Sequence, residues 1–230
     1  IGAFYQPRAV FIDPLTLRTL PHREWIAGLA EVIKYGIIAD EEFFAFLERE
    51  IPSLLKLNQE PVLHAITRSC EIKAQVVAAD ERESDRRRVL NYGHTVGHAL
   101  ESLAGYRGLI HGEAIGIGLV SEAELACDMG LCGPEVVERI RSLVRRAGLS
   151  DQISGISFTS LWGAMQHDKK VVGGQVIGVW PVRIGEVTIR PIEQQVCSAW
   201  FQRTHGRGYR PSSGRQPRRH PVHRKILVQR

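Results

Sequence analysis

Apolar residues recur at every third or fourth position through most of residues 22–167, which is the spacing of amphipathic helices. The clearest case is 22–38, whose stripe consists of Trp25, Ile26, Leu29, Val32, Ile33 and Ile37. The same periodicity predicts further helices at 40–50, 61–83, 93–103, 111–129, 134–147 and 159–167. Asp40 is placed to cap the second helix, and Pro134 opens another at a position that proline favours.

The hydrophobic period changes near both ends of the chain. Residues 175–180 and 186–189 are rich in β-branched residues and flank Gly185, which predicts two short strands joined by a turn. Residues 9–12, Ala-Val-Phe-Ile, predict another short strand near the start. We therefore expect a mainly α fold with short β-strands at its ends.

Length and composition are those of a globular protein. With 230 residues and 43% hydrophobic content, the chain can bury one sizeable core. Its apolar runs are all much shorter than the ~20 residues of a membrane span, and no stretch has the order of a signal peptide. The four cysteines form no CxxC pair, which is typical of free thiols in a reducing compartment, so we expect a cytoplasmic location: Cys70, Cys127, Cys132 and Cys197.

The net charge of +5 comes from the end of the chain. Residues 201–230 hold nine of the 30 Lys and Arg residues and none of the 25 Asp and Glu residues, so residues 1–200 carry a net charge of −4. This basic segment is rich in Arg, Pro, Gly and Ser and lacks a hydrophobic period, which predicts disorder. A basic tail is also typical of nucleic-acid binding, which is an alternative of a different class.

The stretch 91–101, NYGHTVGHALE, places two histidines and a glutamate on one helix face. His94, His98 and Glu101 lie at positions i, i+4 and i+7. Neutral imidazole is a good ligand for a divalent metal, and two imidazoles one turn apart can hold the same ion. The spacing therefore indicates a metal site, in which Glu101 either supports a ligand or packs the helix.

Two histidines do not complete a catalytic metal site, which usually has three protein ligands and an open position. The best third histidine is His111, at the start of a predicted helix. The best carboxylate is Glu31, in mid-helix among apolar neighbours, because a lone acid is seldom buried without a partner. The alternatives are structural histidines and an exposed Glu31 paired with Lys34 three residues later.

Several cationic and polar residues accompany these candidates. Lys and Arg side chains beside a metal suit a substrate with phosphate and carboxylate groups, although each one alone is typical of a solvated charge. The candidates are Lys34, Lys73, Arg87, Asn91, Lys169 and Lys170.

Six ordered motifs closely resemble the 3-dehydroquinate synthase family: GAFYQP at 2–7, TLP at 19–21, GLAEVIKYG at 28–36, DERE at 80–83, LNYGHTVGHALE at 90–101 and HGEA at 111–114. The resemblance runs from residue 1 to about residue 190. It implies an NAD- and metal-dependent carbon–oxygen lyase of the shikimate pathway. This enzyme closes the seven-carbon keto acid phosphate DAHP into 3-dehydroquinate with loss of phosphate, on the route to chorismate and the aromatic amino acids.

The resemblance also implies cofactors and residue roles. The family uses NAD catalytically and a divalent metal, zinc or cobalt, and it suggests a homodimer. The implied metal ligands are Glu31, His94 and His111, so that His98 becomes an acid–base group, with Glu83 as the second proton-transfer residue. The implied substrate-binding residues are Lys34, Lys73, Arg87, Asn91 and one of Lys169 and Lys170. The stretch that contacts NAD corresponds to Thr16, Leu17, Arg18 and Thr19.

The chain also departs from the family pattern. The family's N-terminal Rossmann-like domain with Gly-rich loops is missing, and the sequence contains no GxGxxG motif. We therefore interpret 1–20 as a remnant of that domain, 21–197 as the helical metal- and substrate-binding domain, and 198–230 as a disordered or frameshifted tail. On this interpretation the chain alone has negligible synthase activity.

Three alternatives accompany this hypothesis. Other sugar-phosphate cyclases, such as 2-deoxy-scyllo-inosose synthase, and metal-dependent polyol dehydrogenases share the architecture, although Arg87, Asn91 and His98 favour the dehydroquinate type. The second alternative is a nucleic-acid-binding module that acts through its basic tail. The third alternative is an inert truncated product that keeps the metal-binding fold but has no function.

Overall fold

A computed structural model of the chain describes residues 8–79, 86–105, 108–168 and 175–205. These residues form eight α-helices and one antiparallel two-stranded sheet. The helices are α1 His22–Ala39, α2 Glu41–Leu55, α3 Gln59–Ala78, α4 His94–Leu103, α5 His111–Asp128, α6 Pro134–Arg146, α7 Phe158–Asp168 and α8 Gln194–His205. The strands are β1 Val176–Arg183 and β2 Glu186–Ile192, and short 3₁₀ helices span Pro14–Thr19 and Arg86–Asn91.

Helix α5 lies at the centre of the fold. It packs against α1, α4, α6, α8 and β1, and nearly all of its residues from Gly112 to Ala126 are buried. Its sequence is built of small and apolar residues on every side, and a helix of that kind is stable only when surrounded by protein. Helix α5 therefore serves as the common support of the helices around it.

Glycines bring α5 into direct backbone contact with two neighbours. A Cβ atom at Gly118 would lie 1.9 Å from the carbonyl oxygen of Gly93, just before α4. A Cβ atom at Gly112 would lie 2.0 Å from the carbonyl oxygen of Ala27 in α1. No other residue fits at either position, so the separations of α5 from α1 and from the start of α4 are set by backbone contact.

Two apolar clusters lie on either side of α5. The first joins α1, α2, α3 and α6, and its fully buried members include Leu29, Ile33, Phe44, Leu47 and Ile140. The second joins α4, α7, α8 and the sheet, and includes Val96, Leu161, Trp180 and Trp200. The turn of the hairpin is tied to the first cluster, because the N–H of Gly185 donates to the carbonyl of Ile37 over 2.9 Å.

The mainly α fold predicted from the sequence is confirmed, as are the helices and the C-terminal hairpin. The Asp40 side chain caps α2 by accepting the N–H of Phe43, and Pro134 occupies the first turn of α6. Gly185 adopts a φ of +85°, which the turn between β1 and β2 requires. The predicted helix 61–83 begins earlier, at Gln59, and α3 ends at Ala78, while residues 80–83 lie outside the described ranges.

Two local predictions are wrong. Residues 9–12 do not form a strand, because no described segment pairs with them, and Phe11 is 96% exposed. Residues 198–205 are not a disordered tail, because they form the second part of α8 and bury Trp200 and Phe201. The rest of the predicted tail, 206–230, lies outside the described residues.

None of the helices that the structure describes is long and apolar enough to cross a membrane.

Gly118→Ala is expected to destabilise the fold by roughly 2–3 kcal/mol, because its methyl group overlaps the Gly93 carbonyl and forces α4 away from α5. Gly163→Ala in α7 is the matched control, since no described atom lies within 4 Å of the place where its methyl group would stand. At position 163 the change to alanine should raise the free energy of unfolding by about 0.5–1 kcal/mol, because alanine has the higher helix propensity. Urea denaturation measures both, and equal effects of the two substitutions would contradict the close-contact argument.

Candidate metal centre

Three helices bring Glu31, His94 and His111 together. Glu31 projects from the middle of α1, while His94 and His111 are the first residues of α4 and α5. Oε1 of Glu31 lies 3.3 Å from Nε2 of His94 and 3.7 Å from Nε2 of His111. His94 and His111 follow Glu31 by 63 and 80 residues in the chain, yet the three side chains converge on one point of the fold. Their ligand atoms all lie within 4.8 Å of one another.

These distances fit a divalent ion. Zinc binds nitrogen and carboxylate oxygen at about 2.0–2.1 Å, which places tetrahedral ligand atoms about 3.4 Å apart. In addition, Oε1 of Glu31 is buried and has no hydrogen-bond partner among the described residues. An unpaired buried carboxylate oxygen is costly, and a cation between the three side chains would satisfy it. The donor set and its spacing therefore suit a divalent metal.

Hydrogen bonds orient both imidazole rings toward Glu31. Nδ1 of His94 lies 3.0 Å from the carbonyl oxygen of Tyr92, and because a carbonyl only accepts, this nitrogen carries the proton. Nδ1 of His111 lies 3.2 Å from Oε2 of Glu101. A carboxylate oxygen also accepts hydrogen bonds, so this nitrogen too carries the proton. Each Nε2 atom then presents a lone pair, as a metal ligand requires.

Electrostatics keep Glu31 ionised. Its second oxygen, Oε2, accepts a hydrogen bond from Nζ of Lys34 over 2.5 Å. Burial favours the neutral acid, but a hydrogen bond from His94 while its Nε2 is protonated, together with the charge of Lys34, outweighs burial and lowers the pKa of Glu31 to about 2. When Nε2 is unprotonated, as in the ligand form, Lys34 is the neighbour that favours the carboxylate. Lys34 is only 3% exposed, and its burial and the charge of Lys73 lower its own pKa, against the opposing effect of Glu31.

The histidine pair of α4 does not form the clamp that the i, i+4 spacing suggests. The rings of His94 and His98 meet edge-on at 5.0 Å between centroids. The described side chains form two groups with metal-binding geometry, and neither contains both of these histidines. One group is Glu31, His94 and His111, and the other is His98, Glu101 and His111. The alternative of an exposed Glu31 paired only with Lys34 also fails, because Oε1 of Glu31 is buried beside the two histidines.

The other predicted site residues occupy varied places. Asn91 is exposed at the end of the 3₁₀ helix that precedes α4, and Arg87 is partly buried in that same helix. Lys73 is exposed on α3, close enough to Lys34 to influence its pKa. The four predicted NAD contacts lie in the 3₁₀ helix Pro14–Thr19, which packs on α3. Glu83, Lys169 and Lys170 lie outside the described residues.

Sequence reasoning missed a clamp that holds the start of α5. Arg23 of α1 contacts both carboxylate oxygens of Glu113 at 2.6 Å and donates to the carbonyl of Gly108 over 2.5 Å. Glu113 also accepts the N–H of Ile110, and Arg23 lowers the pKa of this carboxyl. The clamp fixes the chain on both sides of His111. Its sequence signal is the acidic residue in the first turn of a helix, where a negative charge is favoured.

Comparison with known proteins places this geometry in a family. Residues 28–171 match the family described as 3-dehydroquinate synthase C-terminal. The 3-dehydroquinate synthase of Caldanaerobacter subterraneus subsp. tengcongensis is 46% identical over 85% of this chain and 55% of its own length. The 3-dehydroquinate synthase of Nostoc punctiforme is 49% identical over 82% of this chain and 53% of its own length. The chain thus spans about half the length of these curated relatives.

Solved structures share the fold. A 2-epi-5-epi-valiolone synthase from Streptomyces hygroscopicus subsp. jinggangensis, with NAD+ and Zn2+ bound, is 25% identical with a TM-score of 0.76, over 85% of this chain and 55% of its own. A 2-deoxy-scyllo-inosose synthase complexed with carbaglucose-6-phosphate, NAD+ and Co2+ is 25% identical with a TM-score of 0.77, over 89% of this chain and 59% of its own. Since the family match covers more than half of its residues, the chain belongs to the 3-dehydroquinate synthase C-terminal family.

Proposed function

We propose that the chain is the metal- and substrate-binding part of a 3-dehydroquinate synthase, which converts DAHP into 3-dehydroquinate with loss of phosphate. The observation that carries this proposal is the convergence of Glu31, His94 and His111 beside Lys34, in a chain 46–49% identical to such synthases over 82–85% of its length. The proposed activity is that of the whole enzyme, of which this chain corresponds to about half.

Glu31, His94 and His111 would hold a divalent metal, zinc or cobalt. When bound, such a metal supplies Lewis-acid polarisation of a substrate oxygen. The protein's own contribution is to hold Glu31 as a carboxylate beside the ammonium group of Lys34, and to keep each imidazole in the tautomer that frees Nε2.

Cationic and amide side chains around this centre would bind the substrate. Lys34 is buried and held by Glu31, and the exposed Lys73 lies near it, so the two ammonium groups would place positive charge beside phosphate or carboxylate oxygens bound at this centre. Arg87 and Asn91 precede α4 on the 3₁₀ helix Arg86–Asn91. Such anchoring holds a flexible substrate in a reactive pose. Lys169 and Lys170 are proposed for the same role.

His98 is proposed as the acid–base group. Its ring stands 5.0 Å from that of His94 and 5.8 Å from that of His111, measured between centroids, beside the proposed ligands. Imidazole exchanges protons near neutral pH, which suits proton transfer to and from a bound substrate. Glu83 is the second proposed proton-transfer residue.

NAD is the proposed cofactor, with Thr16, Leu17, Arg18 and Thr19 contributing contacts from the 3₁₀ helix Pro14–Thr19. Support comes from two solved relatives that hold NAD+ together with Zn2+ or Co2+. The homodimer and the cytoplasmic location stay predictions.

A related sugar-phosphate cyclase is the second candidate. Its support is the fold shared with 2-deoxy-scyllo-inosose synthase and 2-epi-5-epi-valiolone synthase at TM-scores of 0.77 and 0.76. The identity to these two proteins is 25%, against 46–49% to the dehydroquinate synthases, and this difference favours the dehydroquinate reaction. Nothing in the described part of the chain favours the nucleic-acid-binding alternative.

The metal centre can be tested by removing its ligands one at a time. Glu31→Ala, His94→Ala and His111→Ala are each expected to weaken zinc binding at least about 100-fold, since each removes one of three ligands. His98→Ala is the control from the same helix face, and it should keep zinc, because His98 is proposed as an acid–base group and not as a ligand. Competition with a chromophoric chelator measures the affinities. Loss of zinc from His98→Ala would contradict the assignment of roles.

Glu101 should matter to the metal without touching it. Its removal in Glu101→Ala frees the His111 ring and is expected to weaken zinc binding about 10–100-fold. Glu138→Ala provides the control, because Glu138 is an exposed acid of α6 that pairs with Arg141. A zinc affinity of Glu101→Ala equal to that of Glu138→Ala would show that the contact with His111 is without consequence.

Substrate choice tests the reaction. With NAD and zinc, the chain alone is expected to turn over DAHP negligibly, because it spans only about half the length of the synthases it matches. Joined to the N-terminal half of the Nostoc punctiforme synthase, it should release phosphate from DAHP and leave glucose 6-phosphate unchanged. A coupled phosphate assay follows both substrates. Turnover of glucose 6-phosphate without turnover of DAHP would favour the second candidate.

A further inference from the structure

Helix α5 carries a carboxylate that the proposed reaction does not use. Glu122 is 0% exposed, and its side chain lies beneath the first turn of α4. Its Oε2 accepts the N–H of Gly93 over 2.8 Å, and its Oε1 accepts the N–H of Val96 over 2.9 Å. Burying a carboxylate costs several kcal/mol unless hydrogen bonds compensate, and these two amides supply such hydrogen bonds.

The start of α4 cannot cap itself. The residue at the N-cap is Gly93, which has a φ of +81° and no side chain to accept the free N–H groups of the first turn. A Cβ atom at position 93 would lie 2.8 Å from Cδ2 and 3.3 Å from the backbone nitrogen of Leu119, so the usual Ser, Thr or Asp does not fit. Glu122 supplies the missing acceptor from the neighbouring helix, and its negative charge suits a helix N-terminus.

One peptide group connects Glu122 to the His94 ring. The N–H of Gly93 and the C=O of Tyr92 belong to the same planar peptide. Glu122 accepts from the nitrogen side of this peptide, and Nδ1 of His94 donates to its oxygen side over 3.0 Å. Hydrogen bonds in such a chain strengthen one another, because each polarises the next. The order is carboxylate, peptide, imidazole, and then the Nε2 atom that faces Glu31.

We propose that Glu122 is a positioning residue for His94. Through the Tyr92–Gly93 peptide it holds the imidazole with Nε2 toward Oε1 of Glu31, and it makes that nitrogen a better donor to a divalent metal. Glu101 acts on His111 by direct contact, whereas Glu122 acts on His94 through one backbone unit. This inference rests on the proposed metal centre.

If Glu122 only stabilised the fold, its replacement would affect zinc affinity no more than the replacement of another largely buried acid of α5. Glu124 is such an acid and provides the comparison. Glu124 lies two residues further along α5 and has a side chain that is 18% exposed. It accepts a hydrogen bond from Nε1 of Trp200 over 2.7 Å and pairs with Arg141. Its partners belong to α6 and α8, so its replacement removes buried hydrogen bonds of α5 at a distance from the Tyr92–Gly93 peptide.

The test compares the zinc affinities of Glu122→Gln and Glu124→Gln, measured with the full chain at a temperature where both are folded. Glutamine has one acceptor oxygen in place of two, so Glu122→Gln leaves one of the two amides facing an NH₂ group. Glu122→Gln should bind zinc about 10–100-fold more weakly than the parent, and Glu124→Gln within twofold of it. Both substitutions should lower Tm.

The outcomes separate this inference from the metal centre itself. Parental zinc affinity in Glu122→Gln, with weak binding in His94→Ala, would overturn the role of Glu122 and leave the metal centre standing. Parental affinity in His94→Ala would overturn both.

A second measurement needs no substitution, and so applies even where Glu122→Gln fails to fold. In the unmodified chain, zinc binding to His94 should strengthen the Nδ1 hydrogen bond to Tyr92 and shift the Gly93 amide proton downfield in the NMR spectrum. The shift should exceed that of the Val96 amide, which donates to Glu122 but is not part of the Tyr92–Gly93 peptide. An unmoved Gly93 amide would overturn the proposal.

Discussion

Backbone contact between helices is the constraint on which the candidate site depends. The carbonyl of Ala27 in α1 and the carbonyl of Gly93 before α4 both face positions on α5 that only glycine can occupy, Gly112 and Gly118. Side chains that interdigitate can adjust when one of them changes, but backbone surfaces in contact cannot. The relative positions of the three helices that carry Glu31, His94 and His111 are therefore held with little tolerance, as a centre with bonds of about 2 Å demands.

The buried charged and titratable side chains are concentrated around the Glu31–His94–His111 group. Lys34, His94 and Glu122 are among the few charged or titratable side chains that are buried in the described part of the fold. Each has a specific partner, and each partner lies at or next to the Glu31–His94–His111 group. Buried polar groups cost stability unless they are satisfied, so their concentration in one place indicates that function, more than folding, accounts for them.

Local features of the fold were predictable from the sequence, and contacts between distant segments were not. The stripe of α1 and the cap at Asp40 depend on neighbours within a few residues, and the predictions for them agree with the structure. The strand at 9–12 has the right residues but needs a partner strand that local sequence does not supply. Helix α8 was missed because the basic composition beyond residue 200 outweighed the helical spacing of Cys197, Trp200 and Phe201.

The candidate site divides in the same way. The i, i+4 spacing correctly put His94 and His98 on one face, but spacing alone does not tell which neighbouring helix each ring meets, and it suggested one ion between the two. Residue chemistry nominated Glu31 and His111 as further ligands, the family resemblance removed His98 from the set, and the geometry of the described residues brings Glu31, His94 and His111 together. Glu122 escaped notice because its role depends on a contact between α5 and the start of α4.

The placement of the three proposed ligands on α1, α4 and α5 would also link metal binding to folding. Between α1 and α4 the described chain passes through α2, α3 and a 3₁₀ helix, so the three ligand atoms meet only after α1, α4 and α5 have docked. An ion held by all three would act as a cross-link between distant parts of the chain and would bind the folded state in preference to the unfolded chain. At a free metal concentration 100 times the dissociation constant, this linkage would add about 2.7 kcal/mol to the free energy of unfolding. The ion that takes part in catalysis would then also stabilise the fold, and the free metal concentration would set the stability of this part of the protein.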